Sequence, residues 1–395
     1  MTKLHWSYKD VFRALRLGFS AKKVWMMSLG LLFGFAGYTI LTYVAYAVAG
    51  TDFLTVWQTF RLLPLPSPCD YAFPWYSWVI FAAGAVWFLC ALMITGTAVS
   101  KVAYEQLRGD EFFESKEAFR FAFKNRAAVL GSPLLILAFV ALIVVFGLIF
   151  SLLGAIPAAG EIFVGLLAIL AFVASLFIVY LLIVFAFALL LGPSVVGATH
   201  SDTFDTLFEV FSCVNEQPAR LVWYTATVAM LGKAGSFLLG LAASAAGRIG
   251  YAITGTFMGE KLADVMGNAA YYFKLAAPDW CPQLCQQTFL TEMNRYGFPQ
   301  VYLPGEYISL GWSQDIAALL FGVLFYLVAI MVVGYGLSVW FTGMTLNFAV
   351  LAYKKDEKNI LDLPEDDEEL IEPVPNPELD DLKPKPVTEE PAKKD

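Results

Sequence analysis

The chain has 395 residues, of which 58% are hydrophobic and only 15% charged, where soluble domains carry roughly a quarter charged. Its formal charge of −8 belongs to the C-terminal stretch 356–395, which holds 15 acidic and 5 basic side chains; no basic surface remains for a nucleic acid, and that partner class is excluded. The mean hydropathy of +0.64, gathered in apolar runs of about 20 residues or more, excludes an ordinary soluble domain, because such a run crosses a roughly 30 Å hydrocarbon layer as a helix.

Taken in order, residues 7–25 read SYKDVFRALRLGFSAKKVW. A serine stands ready to cap a helix, and Val11, Phe12, Leu15 and Phe19 recur at helical spacing, which predicts an amphipathic helix at a membrane surface. The apolar run that follows, 24–48, has basic residues before it like a signal peptide. It is too long for a secretory core and lacks a cleavage site, so it is expected to remain as the first span. The stretch 51–62, TDFLTVWQTFRL, is expected to lie flat outside, before a second span over 77–99.

The pattern then repeats. Residues 115–135, SKEAFRFAFKNRAAVLGSPLL, offer a serine and Phe119, Ala122 and Phe123 at helical spacing, followed by spans over 129–155 and 162–191. Residues 201–224, SDTFDTLFEVFSCVNEQPARLVWY, offer a serine, then Phe204, Leu207, Phe208 and Phe211, and lead into a fifth span over 221–246. Pro218 suits the first turn of that helix, where its missing N–H costs little. Residues 247–315 form a long connection, predicted to contain an amphipathic helix in GEKLADVMGNAAYYFKLAAP and to cap the outer face; a sixth span covers 316–351. The fold expected is therefore an all-α membrane protein of six transmembrane helices, arranged as three units of cytoplasmic interfacial helix plus two-span hairpin. Residues 1–355 make the membrane domain. The Pro-, Glu- and Asp-rich tail 356–395 is expected to be disordered and cytoplasmic.

Lysine and arginine set the orientation. Six stand in the first 23 residues and six in 100–128, against the single Arg61 in 50–76. Both termini are thus expected in the cytoplasm of a bacterial inner membrane. Trp25, Trp75, Trp78, Trp223, Trp312 and Trp340 near the span ends agree with an interfacial aromatic belt. Small residues at Gly30 and Gly34, and at Ser236, Gly240, Ser244 and Gly247, suit close helix approach.

The run 201–224, with GSPLL at 131–135 and IPAAGEIFVGLLAIL at 156–170, resembles a bacterial family of polytopic membrane proteins common in planctomycetes and related phyla. Members carry an acid–phenylalanine–aspartate pattern, an aromatic pair, and an arginine–proline or proline–arginine step before a tryptophan–tyrosine. Asp202, Phe204, Asp205, Phe208, Phe211, Pro218, Arg220, Trp223 and Tyr224 stand in those places here. The resemblance covers about residues 95–245 and implies the membrane fold but no activity.

Candidate functional residues are few. The sequence carries no phosphate-binding glycine loop, no G-x-S-x-G and no H-E-x-x-H, so no enzyme, cofactor or metal site is expected. Lys233 lies some 12 residues, or ~18 Å, into the fifth span, where a charge is costly and faces a cavity or partner; Glu161 is the nearest acidic candidate. The competing reading is a lysine that snorkels to an interface. Asp202, Asp205 and Glu209 give the third amphipathic segment an acidic face, expected to pair with the basic segments 7–25 and 115–135, with a basic partner protein as the alternative. Cys281 and Cys285 suit a disulfide, or either could join Cys69. The partners expected are the lipid bilayer and other membrane or cytoplasmic proteins. The leading functional expectation is a non-enzymatic scaffold or accessory subunit; the alternative is a transporter or channel-like permease built around Lys233.

Overall fold

The computed structural model describes residues 5–60, 73–157, 159–272, 308–356 and 359–362. Two units divide at Ile360, the second running from Leu361 to the C-terminus. The described residues of the first are mostly helical and include no strand. Cys69, Cys281 and Cys285, and the acidic tail beyond Asp362, lie outside the described residues.

Helices α1 (Tyr8–Val11) and α2 (Ala14–Gly18) precede α3 (Ala21–Val48), and a short α4 (Phe53–Phe60) follows it. Helix α5 (Trp75–Arg108) leads to α6 (Ser115–Lys124). Helices α7 (Arg126–Gly154) and α9 (Ala168–Thr199) are joined through α8 (Ala159–Leu166). Helix α10 (Thr203–Glu216) comes before α11 (Pro218–Met258), α12 (Glu260–Tyr272) and α13 (Trp312–Asp356). Six of these, α3, α5, α7, α9, α11 and α13, are long and apolar enough to cross a membrane, and this marks the chain as an integral membrane protein. Their surfaces agree: Leu148 and Leu152 of α7 and Ile169 and Phe172 of α9 are all exposed, a pattern water disfavours and acyl chains accept. Trp25, Trp75, Trp223 and Trp312 stand exposed at or near helix ends.

The helices outrun the apolar windows that predict them. Helix α11 has 41 residues and α13 has 45, about 60 Å or more at 1.5 Å per residue, twice the hydrocarbon thickness. The overshoot is not idle. The last turns of α5, from Met93 to Leu107, are mostly buried, as is α13 from Phe341 to Ala352. Helix α5 packs on α3 and α9, α13 on α11, α3, α9 and α12, and α7 on α9. Burial is thus most complete at one end of the bundle, where α5, α9 and α13 meet.

The first amphipathic segment is not one helix. Asp10 reaches back to the backbone N–H groups of His5 (2.8 Å) and Ser7 (3.3 Å), Phe19 leaves the helical region, and Ser338 donates to Gly18 O at 2.9 Å. These local and tertiary bonds break the segment into α1 and α2 and pin it on α13. The serine caps expected for the next two segments also differ. Glu114 precedes α6, and Asp202 caps α10, its Oδ1 accepting from Phe204 N (2.8 Å) and Asp205 N (2.9 Å); a carboxylate satisfies two N–H groups and the helix dipole together. Asp202→Ala is expected to cost about 1 kcal/mol, measurable as a lower Tm in detergent. Pro218 does open α11.

Candidate functional site

The most concentrated buried chemistry lies on the last turns of α5. A helix places residues three and four apart on one face, so Lys101, Tyr104, Glu105 and Arg108 project together. Lys101 and Glu105 are each only 4% exposed. The Lys101 ammonium lies 2.5 Å from Glu105 Oε1, an ionic contact rather than a well-aligned hydrogen bond. Arg108 Nη1 approaches the other oxygen of the same carboxylate at 3.8 Å.

Two further elements close around the ammonium. Helix α9 is pressed onto α5 at Gly197, where a Cβ would stand 2.8 Å from Ser100 Cβ, and Ser100 and Ser194 hydroxyls meet at 3.2 Å. This approach delivers His200, the residue that ends α9 with a left-handed φ of 56°, so that Nε2 lies 2.7 Å from Lys101 Nζ. Lysine has only donors, so in this contact the ring nitrogen accepts. Phe121 of α6 packs on the His200 ring at 4.7 Å between centroids. The rings of Phe121, Tyr104 and Phe113 surround the ammonium at 5.1, 5.4 and 5.8 Å, within the range where a ring face attracts a cation.

Neighbouring groups brace the assembly. Lys22 donates to Phe113 O at 2.7 Å and the buried Lys23 to Gln106 Oε1 at 2.9 Å. Tyr104 donates to Ile360 O at 2.7 Å. Chemically, the ammonium spends its donors on a carboxylate, an imidazole and aromatic faces. The arrangement ties α5, α6 and α9 together.

The residues singled out from sequence are placed elsewhere. Lys233 is exposed on α11, beside the buried Gly232 and Gly235, and no ion pair joins it to Glu161 among the described residues. Glu161 is exposed on α8, which packs on α7 and α9, whereas α11 packs chiefly on α13. Of the acidic face, Asp202 is used as the cap and Asp205 is exposed. Glu209 meets Lys355 at 3.7 Å, at the end of α13 and not on the basic segments expected to receive it. Phe204 and Phe208 remain 58% and 66% exposed.

Lys101, Glu105 and His200 escaped the sequence reading. Their signal was available: an i,i+4 Lys–Glu pair directly continuing an apolar helix. Lys101 and Arg108 count there only as topology signals in a cytoplasmic connection.

Two clefts are apolar and partly open. One of about 600 Å³ lies between α3, Phe88 of α5 and α13, with Leu31, Phe35, Leu327 and Ile330 among its walls. The other, of about 540 Å³, lies between α7, α9 and α10, walled by Phe139, Leu142, Phe177 and Phe211. No family model, curated protein or solved structure matches the chain.

Proposed function

We propose that this chain is a non-enzymatic scaffold or accessory subunit of a bacterial inner-membrane complex. On this reading both termini are cytoplasmic, and each pair of spans is introduced by a helix lying on the inner leaflet. The resemblance of residues 95–245 to bacterial polytopic proteins supports the location. Exposed Phe204, Phe208 and Trp223 support the interfacial placement of the third introducing helix, since rings of this kind settle at the lipid boundary.

One observation carries the functional reading: Lys101, the buried cation of the α5–α6–α9 junction, is engaged by Glu105 and His200, while the clefts described are lined by apolar side chains. A buried junction whose cation is engaged from within the chain, together with apolar grooves, suits holding other proteins or lipids in place better than passing a polar solute. The alternative, a permease with Lys233 in a central cavity, asks for that residue inside the bundle, and its exposure on α11 weighs against it.

The test is purification in mild detergent followed by reconstitution. The scaffold reading expects a stable assembly with other membrane or cytoplasmic proteins and no solute flux in liposomes. A partner-free monomer that supports flux abolished by Lys233→Met would reverse the order of the two readings.

A further inference from the structure

We propose that α6 is an anionic-phospholipid-binding helix: Lys116, Arg120 and Lys124, continued by Arg126, gather headgroup phosphates while Phe112 and Phe123 reach into the acyl boundary. The inference rests on the inner-leaflet placement of the introducing helices and adds the lipid class that one of them selects.

It starts from the way α6 is held. Ala118 and Ala122 are fully buried in a cluster with Met26, Met27 and Val99, and Phe121 packs on the His200 ring. Lys22 fixes the approach to the helix by donating to Phe113 O at 2.7 Å. Helix α6 therefore cannot turn about its axis without leaving that cluster, and its outward face is set. Lys116, Arg120 and Lys124, each four residues from the next, fall along this face. All three are exposed, as is Arg126 at the start of α7. Phe123 is 51% exposed beside them, and Phe112, in the loop before the helix, is 89% exposed.

Charge decides what such a face accepts. Among the described residues, no side-chain hydrogen bond or ion pair engages Lys116, Arg120, Lys124 or Arg126. The acidic neighbours are gathered at the other end. Glu114 and Glu117 stand exposed at the start of α6, where the helix dipole favours them. Asp110 and Glu111 precede the helix, Asp110 accepting from Phe112 N at 2.9 Å. Arg120, Lys124 and Arg126 thus form a cationic end with no acid among them. Unpaired cations beside exposed phenyl rings on a surface helix match a layer of anionic headgroups over acyl chains. Helix α10 presents the opposite sign, with Asp205 and Glu216 exposed, and supplies an internal comparison.

The test uses the full chain with its native cysteines replaced by serine. A bimane fluorophore is attached at Glu117→Cys on α6 or at Asp205→Cys on α10, and the protein is reconstituted in phosphatidylcholine vesicles. Phosphatidylglycerol or phosphatidylcholine carrying a nitroxide high on the acyl chain is added as a contact quencher. At position 117, labelled phosphatidylglycerol is expected to quench at a mole fraction on the order of tenfold lower than labelled phosphatidylcholine, since each cation near an anionic surface contributes about a fivefold preference before screening. Lys116→Gln, Arg120→Gln and Lys124→Gln together should bring the two lipids to within about twofold, and high salt should do the same to the wild-type face. At position 205 phosphatidylglycerol should have no advantage. Equal quenching by the two lipids at position 117, a preference that survives the triple substitution, or the same preference at position 205 would overturn the proposal while leaving the surface placement standing. Absence of quenching by either lipid at both positions would overturn the placement and the proposal together. Should the triple variant fail to fold, the salt dependence and the comparison of positions 117 and 205 still decide.

Discussion

Replacing Glu105 with glutamine is expected to destabilise the protein by about 3–5 kcal/mol, the usual cost of removing one partner from a buried ion pair. The reason is not the lost attraction alone. Lys101 stays 4% exposed, so its charge would remain out of water with an imidazole and three aromatic faces but no counter-charge. Replacing both members with apolar side chains of similar volume removes the orphan as well as the bond, and such exchanges are often neutral. Lys101→Met combined with Glu105→Met should therefore recover most of the stability lost in Glu105→Gln. Unfolding monitored by circular dichroism in one detergent measures both. If the single variant unfolds like wild type, the junction of α5, α6 and α9 is not held by this pair.

The second large effect is expected where α11 crosses α13. A Cβ at Gly232 would stand 3.1 Å from Gly336 O, and one at Gly336 would collide with the Ser236 hydroxyl. The two backbones are as close as a small-residue seam permits. Gly336→Leu must push the helices apart or force strained rotamers, at about 3 kcal/mol for overpacking. It should also loosen α2, since beside this crossing Leu15 lies against Gly235 and its carbonyl accepts from the Tyr335 hydroxyl at 3.5 Å. Gly247, further along α11, is exposed with nothing near its Cβ position, and Gly247→Leu serves as the control that leaves Tm unchanged. Equal Tm values for the Gly336 and Gly247 variants would remove the close crossing as a source of stability.

The two cases also show what a sequence does and does not display. Six helices long and apolar enough to cross are visible because a bilayer asks for one property, sustained apolarity over about 20 residues, and the runs at 24–48 through 316–351 have it. The amphipathic spacing of 201–216 is visible for a similar reason: period and cap residue are local. Helix ends are not. The apolar window of α5 stops near Val99, yet the helix continues to Arg108 and stops at Gly109, whose φ of 112° suits glycine. Backbone bonds do not weaken where hydropathy falls, provided that neighbouring helices bury the polar turns. Burial is a tertiary property, and for that reason Lys101 and Glu105 resemble an ordinary basic connection in one dimension. Segment 7–25 fails in the opposite sense. Its period promises one helix, but Asp10 bonding back to His5 and Ser7, together with the contact of Ser338 with Gly18, divides it.

Lys233 illustrates the limit of depth arguments. Counting residues from the start of the fifth span puts it in mid-membrane. The helix that carries it is 41 residues long, however, so position along the helix does not set depth in the bilayer. A lysine exposed on such a helix can meet a headgroup simply by lying near an interface.

The central claim, six crossings with the amphipathic helices on the cytoplasmic side, is tested most directly by single-cysteine labelling. Lys116→Cys, Asp205→Cys and Lys261→Cys, each exposed, are placed in a chain whose five native cysteines are serine. A membrane-impermeant maleimide added to spheroplasts should modify Lys261→Cys at once, and the other two only after permeabilisation. Immediate modification at Asp205→Cys, or Lys116→Cys and Lys261→Cys reporting the same side, would contradict the arrangement.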